Sequence, residues 1–238
     1  MDVGIKHGAA RRCDGSDNRQ TGGSLKEYLL ILASLFAISC AATAQTAAAP
    51  PASPSKGASE PWAYSLTVDA YFVPQAVDYG DPVFTADRKW LHLEARYNYE
   101  NLHTGSVWTG YNFSWGKNLV LDVTPILGAV FGRTNGIAPG CEASLSYKKF
   151  TASISNEFVI TPANTSNSFY YSWPEVTYSP TNWLKLGGVA QRTKAYHTSR
   201  DVQRGVLGGV NYKNWEFTTY VFNPDITPTV VLELGVKF

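Results

Sequence analysis

Cysteine is scarce in this chain of 238 residues, and so is charge of either sign. Its three cysteines, Cys13, Cys40 and Cys141, cannot build a disulfide framework. Cys141 alone lies in the main body, where it reads as a small apolar strand residue rather than a ligand. The four histidines are scattered, and a metal site needs several donors at one spot, so no metal is expected. Charged residues make up 16% of the chain, against about 25% in ordinary soluble domains. After Ala44 there are fifteen Lys and Arg and fifteen Asp and Glu. A neutral body of this kind carries no electrostatic footprint for nucleic acid. From Trp62 onward no amphipathic helix is legible. The apolar run 28–38 (YLLILASLFAI) is about half the ~20 residues that a membrane helix requires. What the chain does have is aromatics: 13%, with seven Trp.

The run at 28–38 fits the apolar segment of a signal peptide. Lys26 stands before it, and Ala42, Thr43 and Ala44 form a small-x-small cleavage site after it. Residues 1–44 are therefore a long polar lead plus signal peptide, with Leu25 an alternative start. An alternative reading acylates Cys40, although the usual Leu three positions earlier is replaced by Ala37. Residues 45–61 are rich in Ala, Pro and Ser and read as a periplasmic linker. Residues 62–238 form the body.

The body alternates apolar and polar residues with period two, the strand signature. Leu91, Leu93, Ala95, Tyr97 and Tyr99 share one face, and His92, Glu94, Arg96 and Asn98 the other. Segments 62–74, 88–99, 106–115, 118–131, 138–147, 150–160, 168–179, 183–193, 204–212, 215–222 and 228–238 behave as strands. In 169–178 and 215–222 aromatics occupy both faces, which leaves the phase open. Connections at Gly116-Lys117, Lys148-Lys149, 180–182 and Lys213-Asn214 are tight. Those at 132–140, 161–168, 194–203 and 223–227 are longer, so short and long alternate. A further strand fits 77–86, weakened by Gly80 and Pro82, with Asp87-Arg88 as its turn. It brings the count to twelve. Ten is the alternative if 62–74 stays out of the wall.

The terminal strand carries the sharpest pattern. Val230, Leu232, Leu234, Val236 and Phe238 line one face, with Val231, Glu233, Gly235 and Lys237 between them. It resembles the C-terminal strand of bacterial outer-membrane β-barrels, where the final Phe and the alternating apolar residues serve as an assembly signal. The resemblance implies an all-β, closed antiparallel transmembrane barrel of about twelve strands in a Gram-negative outer membrane. It also implies short turns on the periplasmic side, surrounding lipid and the barrel-assembly machinery as partners, with a monomer favoured. Closure is a physical requirement, because backbone groups in hydrocarbon must all be paired. Trp90, Trp108, Trp115, Trp183 and Trp215 are expected in interfacial girdles. The alternative architecture is a secreted, soluble β-sandwich acting as a binding module.

With apolar faces toward lipid, the lumen receives Asp69, His92, Glu94, Arg96, Asp122, Glu142, Glu157, Lys185, Glu233 and Lys237. Their signs are mixed and set no anion or cation preference. The expected role is structural, or a narrow pore for small solutes. No cofactor fingerprint is present: the glycine-rich 132–140 lacks the strand-to-helix context of a phosphate loop. His92 and Glu94 share a face and could pair as acid and base, although plain hydrogen bonding is the simpler reading. His197 and Ser199 offer one enzymatic alternative. A His-x-Ser resembles in outline the outer-membrane phospholipases and lipid A deacylases, but those follow the Ser with Asn, and here Arg200 and Asp201 follow. The chain is otherwise expected not to be an enzyme.

Overall fold

The computed structural model describes residues 61–238, apart from 75, 164 and 196–200. The stretches read from the sequence as signal peptide and linker, with Cys40 and Ala44, lie outside them up to residue 60, as do His197 and Ser199. The described chain runs as β1 Ala63–Phe72, β2 Tyr79–Arg88, β3 Leu91–Tyr97, β4 Thr104–Tyr111, β5 Phe113–Trp115, β6 Leu119–Gly132 and β7 Gly136–Tyr147. It continues as β8 Phe150–Val159, β9 Phe169–Thr181, β10 Leu184–Ala195, β11 Asp201–Tyr212, β12 Trp215–Phe222 and β13 Thr229–Lys237. One 3-10 turn, Thr165–Asn167, precedes β9.

Apart from β4 and β5, each strand pairs antiparallel with its neighbours in sequence, and β1 pairs with β13, from Ser65 opposite Lys237 to Phe72 opposite Val230. Phe238 completes the seam: its N–H donates to Tyr64 O at 3.0 Å and its carbonyl accepts from Tyr64 N at 3.0 Å. The wall is thus closed. Its thirteen pieces make twelve staves, because β4 and β5 both pair with β6 and are halves of one stave. The break falls opposite Pro125, which has no N–H for the ladder. Side chains bridge the gap there: Thr124 Oγ1 donates to Asn112 Oδ1 at 2.8 Å, and Asn112 Nδ2 donates to Asp87 at 2.8 Å.

Strand bounds differ from the sequence reading at several ends, β11 for example starting at Asp201 rather than 204, and two of the differences have a clear cause. The weak twelfth strand lies at Tyr79–Arg88, two residues later than 77–86, and turns through Lys89 and Trp90 instead of Asp87-Arg88. Its ladder to β3 starts at Val83, one residue past Pro82. The expected long loop 132–140 shrinks to three residues, since β7 begins at Gly136. Glycine there permits close approach rather than breaking the strand: a Cβ on Gly136 would stand 2.1 Å from Ile160 O.

The residue distribution is inverted relative to a soluble domain. On β6, Leu127 is 55% exposed while adjacent Ile126 is 5%. Leu93, Val107, Phe131, Phe158, Val176, Leu186, Val206 and Phe217 also face outward, while Asp81, Glu94, Arg96, Glu157, Gln191 and Thr218 are buried inside. So much outward apolar surface, with charge inside, suits a wall surrounded by hydrocarbon. A sandwich would bury those apolar faces between its sheets, so that alternative is overturned. Near the tight-turn rim, rings stack along the outer surface: Trp90 on Tyr111 at 5.2 Å, Tyr111 on Phe113 at 4.5 Å, and Phe113 on Trp115 at 5.4 Å. Trp183 is exposed, and Trp215 opposes outward-facing Tyr212. Trp108 is the exception to the expected girdle. It is 3% exposed and inside, because it sits one residue out of phase with outward Val107.

Candidate functional site

Strand parity brings the inward residues into one lumen with two unlike halves. The half nearer the tight turns holds a cavity of about 750 Å³. Asn182, Lys213 and Asn214 of those turns line its mouth, and Asp122, Glu142, Glu175, Lys185, Glu216 and Glu233 line its walls. Lys185 donates to Glu216, which gives this lysine a partner the sequence does not reveal. Tyr220 donates from its hydroxyl to Glu233 at 3.0 Å, and Trp173 Nε1 donates to Glu175 at 2.6 Å.

Trp173 and Tyr220 also mark the inner end of this vestibule. Beyond them the lumen is packed. Trp108, Ile126, Val130, Ala138, Val159, Phe169 and Tyr171 form one buried cluster. Tyr71, Val189, Leu207, Tyr220, Phe222 and Val231 form another. Trp173 touches both and meets Phe222 edge-on at 5.1 Å.

Arg96 crosses this packed region. Its Nε and one terminal nitrogen donate to Glu94 at 2.7 and 2.8 Å, and the other terminal nitrogen donates to Glu157 at 2.8 Å. Glu142 accepts a longer bond at 3.4 Å. The guanidinium lies 4.3 Å from the ring centres of both Tyr99 and Trp108. Three staves' worth of wall (β4, β6 and β7) separates β3 from β8, so the Arg96–Glu157 bond cuts across the lumen as a chord. His92 sits between Asp87 at 2.8 Å and Glu94 at 3.4 Å. Both Glu94 oxygens already accept from Arg96, so His92 and Glu94 form part of this network rather than an isolated acid-base pair.

All ten lumen residues named from the sequence stand on inward positions, though not at one level. Asp122, Glu142, Lys185, Glu233 and Lys237 line the vestibule, and His92, Glu94, Arg96 and Glu157 belong to the packed network. Asp69 stands directly opposite Asp81 on one side and Glu233 on the other, a row of three carboxylates on adjacent staves. The sequence reading missed Asp81, Asp87, Glu100, Glu175 and Glu216. With them, eleven carboxylates face Arg96, Lys185, Lys237 and His92, with Lys213 at the mouth. The mixed-sign picture is therefore corrected: among the described residues the lumen is strongly acidic.

No protein-family model and no curated protein sequence matches the chain. Solved structures do match. A KdgM porin is similar over 73% of this chain and 99% of its own, with TM-score 0.53 and 12% identity. A KdgM porin in complex with disordered oligogalacturonate is similar over 73% of this chain and 98% of its own, with TM-score 0.51 and 13% identity. The fold is that of an outer-membrane β-barrel. At such identities the likeness carries the twelve-stave architecture and not the lumen chemistry, which rests on the side chains above.

Proposed function

We propose that the barrel is a narrow channel for small solutes and that it favours cations. The supporting observation is the vestibule of about 750 Å³ that enters the lumen from the tight-turn end and is bordered by more carboxylates than lysines. A lumen with a net excess of one sign inside low-dielectric walls concentrates counter-ions and repels co-ions. The oligogalacturonate held by the KdgM porin is an anion, and the field of this lumen opposes such a solute. Beyond the vestibule Trp173, Tyr220, Phe222 and Arg96 pack the lumen, so passage requires these side chains to part, and the expected unit conductance is small.

Planar-bilayer recording tests both parts. Under a KCl gradient the reversal potential should take the sign of K⁺ permeation, and Glu175→Gln with Glu233→Gln should move it toward zero. Absence of channel events from correctly folded protein ends the channel reading. Channel events with the sign of Cl⁻ permeation end the cation preference alone.

A further inference from the structure

The tight-turn rim is basic in a way the lumen does not require. Arg88, Lys89, Lys117, Lys148, Lys149 and Lys213 lie in or beside its turns, and the five lysines are exposed. Among the described residues, no Asp or Glu occupies any of these turns, and Asp87, beside Arg88, is engaged by His92 and Asn112. The opposite rim mixes signs, with Asp78, Arg133 and an Arg204–Asp225 pair at 2.7 Å. The lysines also sit where the backbone resists them. Lys89, Lys148 and Lys213 have φ of 55, 54 and 55°, the left-handed region that Gly or Asn enters at lower cost. Three of the tight turns thus hold a lysine where turn geometry alone would choose otherwise. An outlier of this kind points to a use for the side chain.

Their surroundings fix the depth of these charges. Lys148 lies 5.1 Å from the Tyr147 ring centre, Lys213 lies 5.4 Å from that of Tyr212, and Arg88 lies 5.8 Å from that of Trp62. Trp90, Trp115 and Trp183 flank the same turns on the outer surface. The cations therefore stand at the edge of the lipid-facing band, at the level where aromatic belts meet headgroups. Lys149 additionally donates to Pro180 O at 2.7 Å, which holds its chain along the rim.

We propose that this rim is a docking surface for anionic phospholipid headgroups, with the lysines binding the phosphate diester of a lipid such as phosphatidylglycerol. Charge complementarity and continuity with the lipid-facing wall both select a headgroup as the occupant. In outer-membrane barrels the tight turns face the periplasm, so the lipid bound is that of the inner leaflet.

The rim tryptophans report the test. The full barrel is refolded into phosphatidylcholine vesicles containing an equal fraction of chain-brominated phosphatidylglycerol or chain-brominated phosphatidylcholine. At low salt the phosphatidylglycerol should quench more, with a relative binding constant about fivefold higher, the equivalent of the ~1 kcal/mol that one lysine gains at an anionic surface. The preference should vanish at high salt, survive Lys→Arg at positions 89, 117, 148, 149 and 213, and fall in the corresponding Lys→Gln variant. Equal quenching by the two lipids at low salt overturns the proposal, as does a preference that salt leaves unchanged. The salt series uses the unsubstituted protein and decides the matter even where the five-site variant does not fold.

Discussion

Removing Arg96 should destabilise the barrel more than any other single charge deletion in the lumen. Arg96→Ala leaves Glu94 and Glu157, which are 7% and 3% exposed, facing each other without their cation. Two charges about 4 Å apart attract by ~4 kcal/mol at an effective dielectric of 20, and Arg96 makes two such close pairs, with Glu94 and with Glu157. The cost of desolvating the guanidinium offsets part of that attraction, which is why breaking a buried pair by removing one partner typically costs about 3–5 kcal/mol. Loss of the ring contacts on Tyr99 and Trp108 adds to it, at ~0.5–2 kcal/mol each for cation–π contacts. The expected loss is therefore at least about 4 kcal/mol. Equilibrium urea unfolding in lipid vesicles, followed by tryptophan fluorescence, measures it. Arg96→Lys should recover only part, since an ammonium cannot reach Glu94 bidentately and Glu157 together. Glu94→Gln introduced with Arg96→Ala should destabilise less than Arg96→Ala alone, because one uncompensated charge is removed. A loss under about 1 kcal/mol for Arg96→Ala, with the fold intact, would refute the view of this residue as the tie across the lumen.

Two further outcomes follow from the same geometry. Gly136→Ala forces a Cβ within 2.1 Å of Ile160 O, so the β7–β8 ladder must shift; a loss of about 1–3 kcal/mol in the same unfolding assay is expected. At the loop rim, the hydrogen bond from Arg204 holds the Asp225 carboxyl below the ordinary carboxylate range. Its pairing is then complete above the unfolded-state pKa and lost as pH falls through the lower folded value. An NMR titration should show the Asp225 midpoint rise in Arg204→Gln, and an unmoved midpoint would dismiss the pair.

The strands that declared themselves in the sequence are those whose two faces differ chemically. In β3, Leu93 and Tyr97 face lipid while Glu94 and Arg96 face the lumen, and the alternation is unbroken. β2 is blurred in the sequence because Gly80 and Pro82 interrupt its run, and the bounds expected from the pattern fall two residues before the observed ones. The loop expected at 132–140 was a misreading of glycine, which at Gly136 serves strand packing. The sign of the lumen was hidden for a related reason. Asp81 and Asp87 lie on the blurred strand, while Glu175 and Glu216 lie on β9 and β12, where aromatics occupy both faces and the phase could not be read. Trp108 looked like a girdle residue by composition, and its parity with Gly110, not its type, puts it inside. The Arg96–Glu157 tie joins residues sixty-one positions apart. No local pattern encodes such a bond, because it exists only once the wall has curled far enough to bring β3 within reach of β8.

The seam between Tyr64 and Phe238 has a consequence for how the molecule comes into being. The first stave of the wall waits for the last, so until β13 has been made its edge has nothing to zip against. A chain in that condition carries open hydrogen-bonding margins and oily ribbons through water for its whole journey, which is the condition in which strands aggregate. The seam therefore asks that the chain reach the bilayer before its strands pair elsewhere.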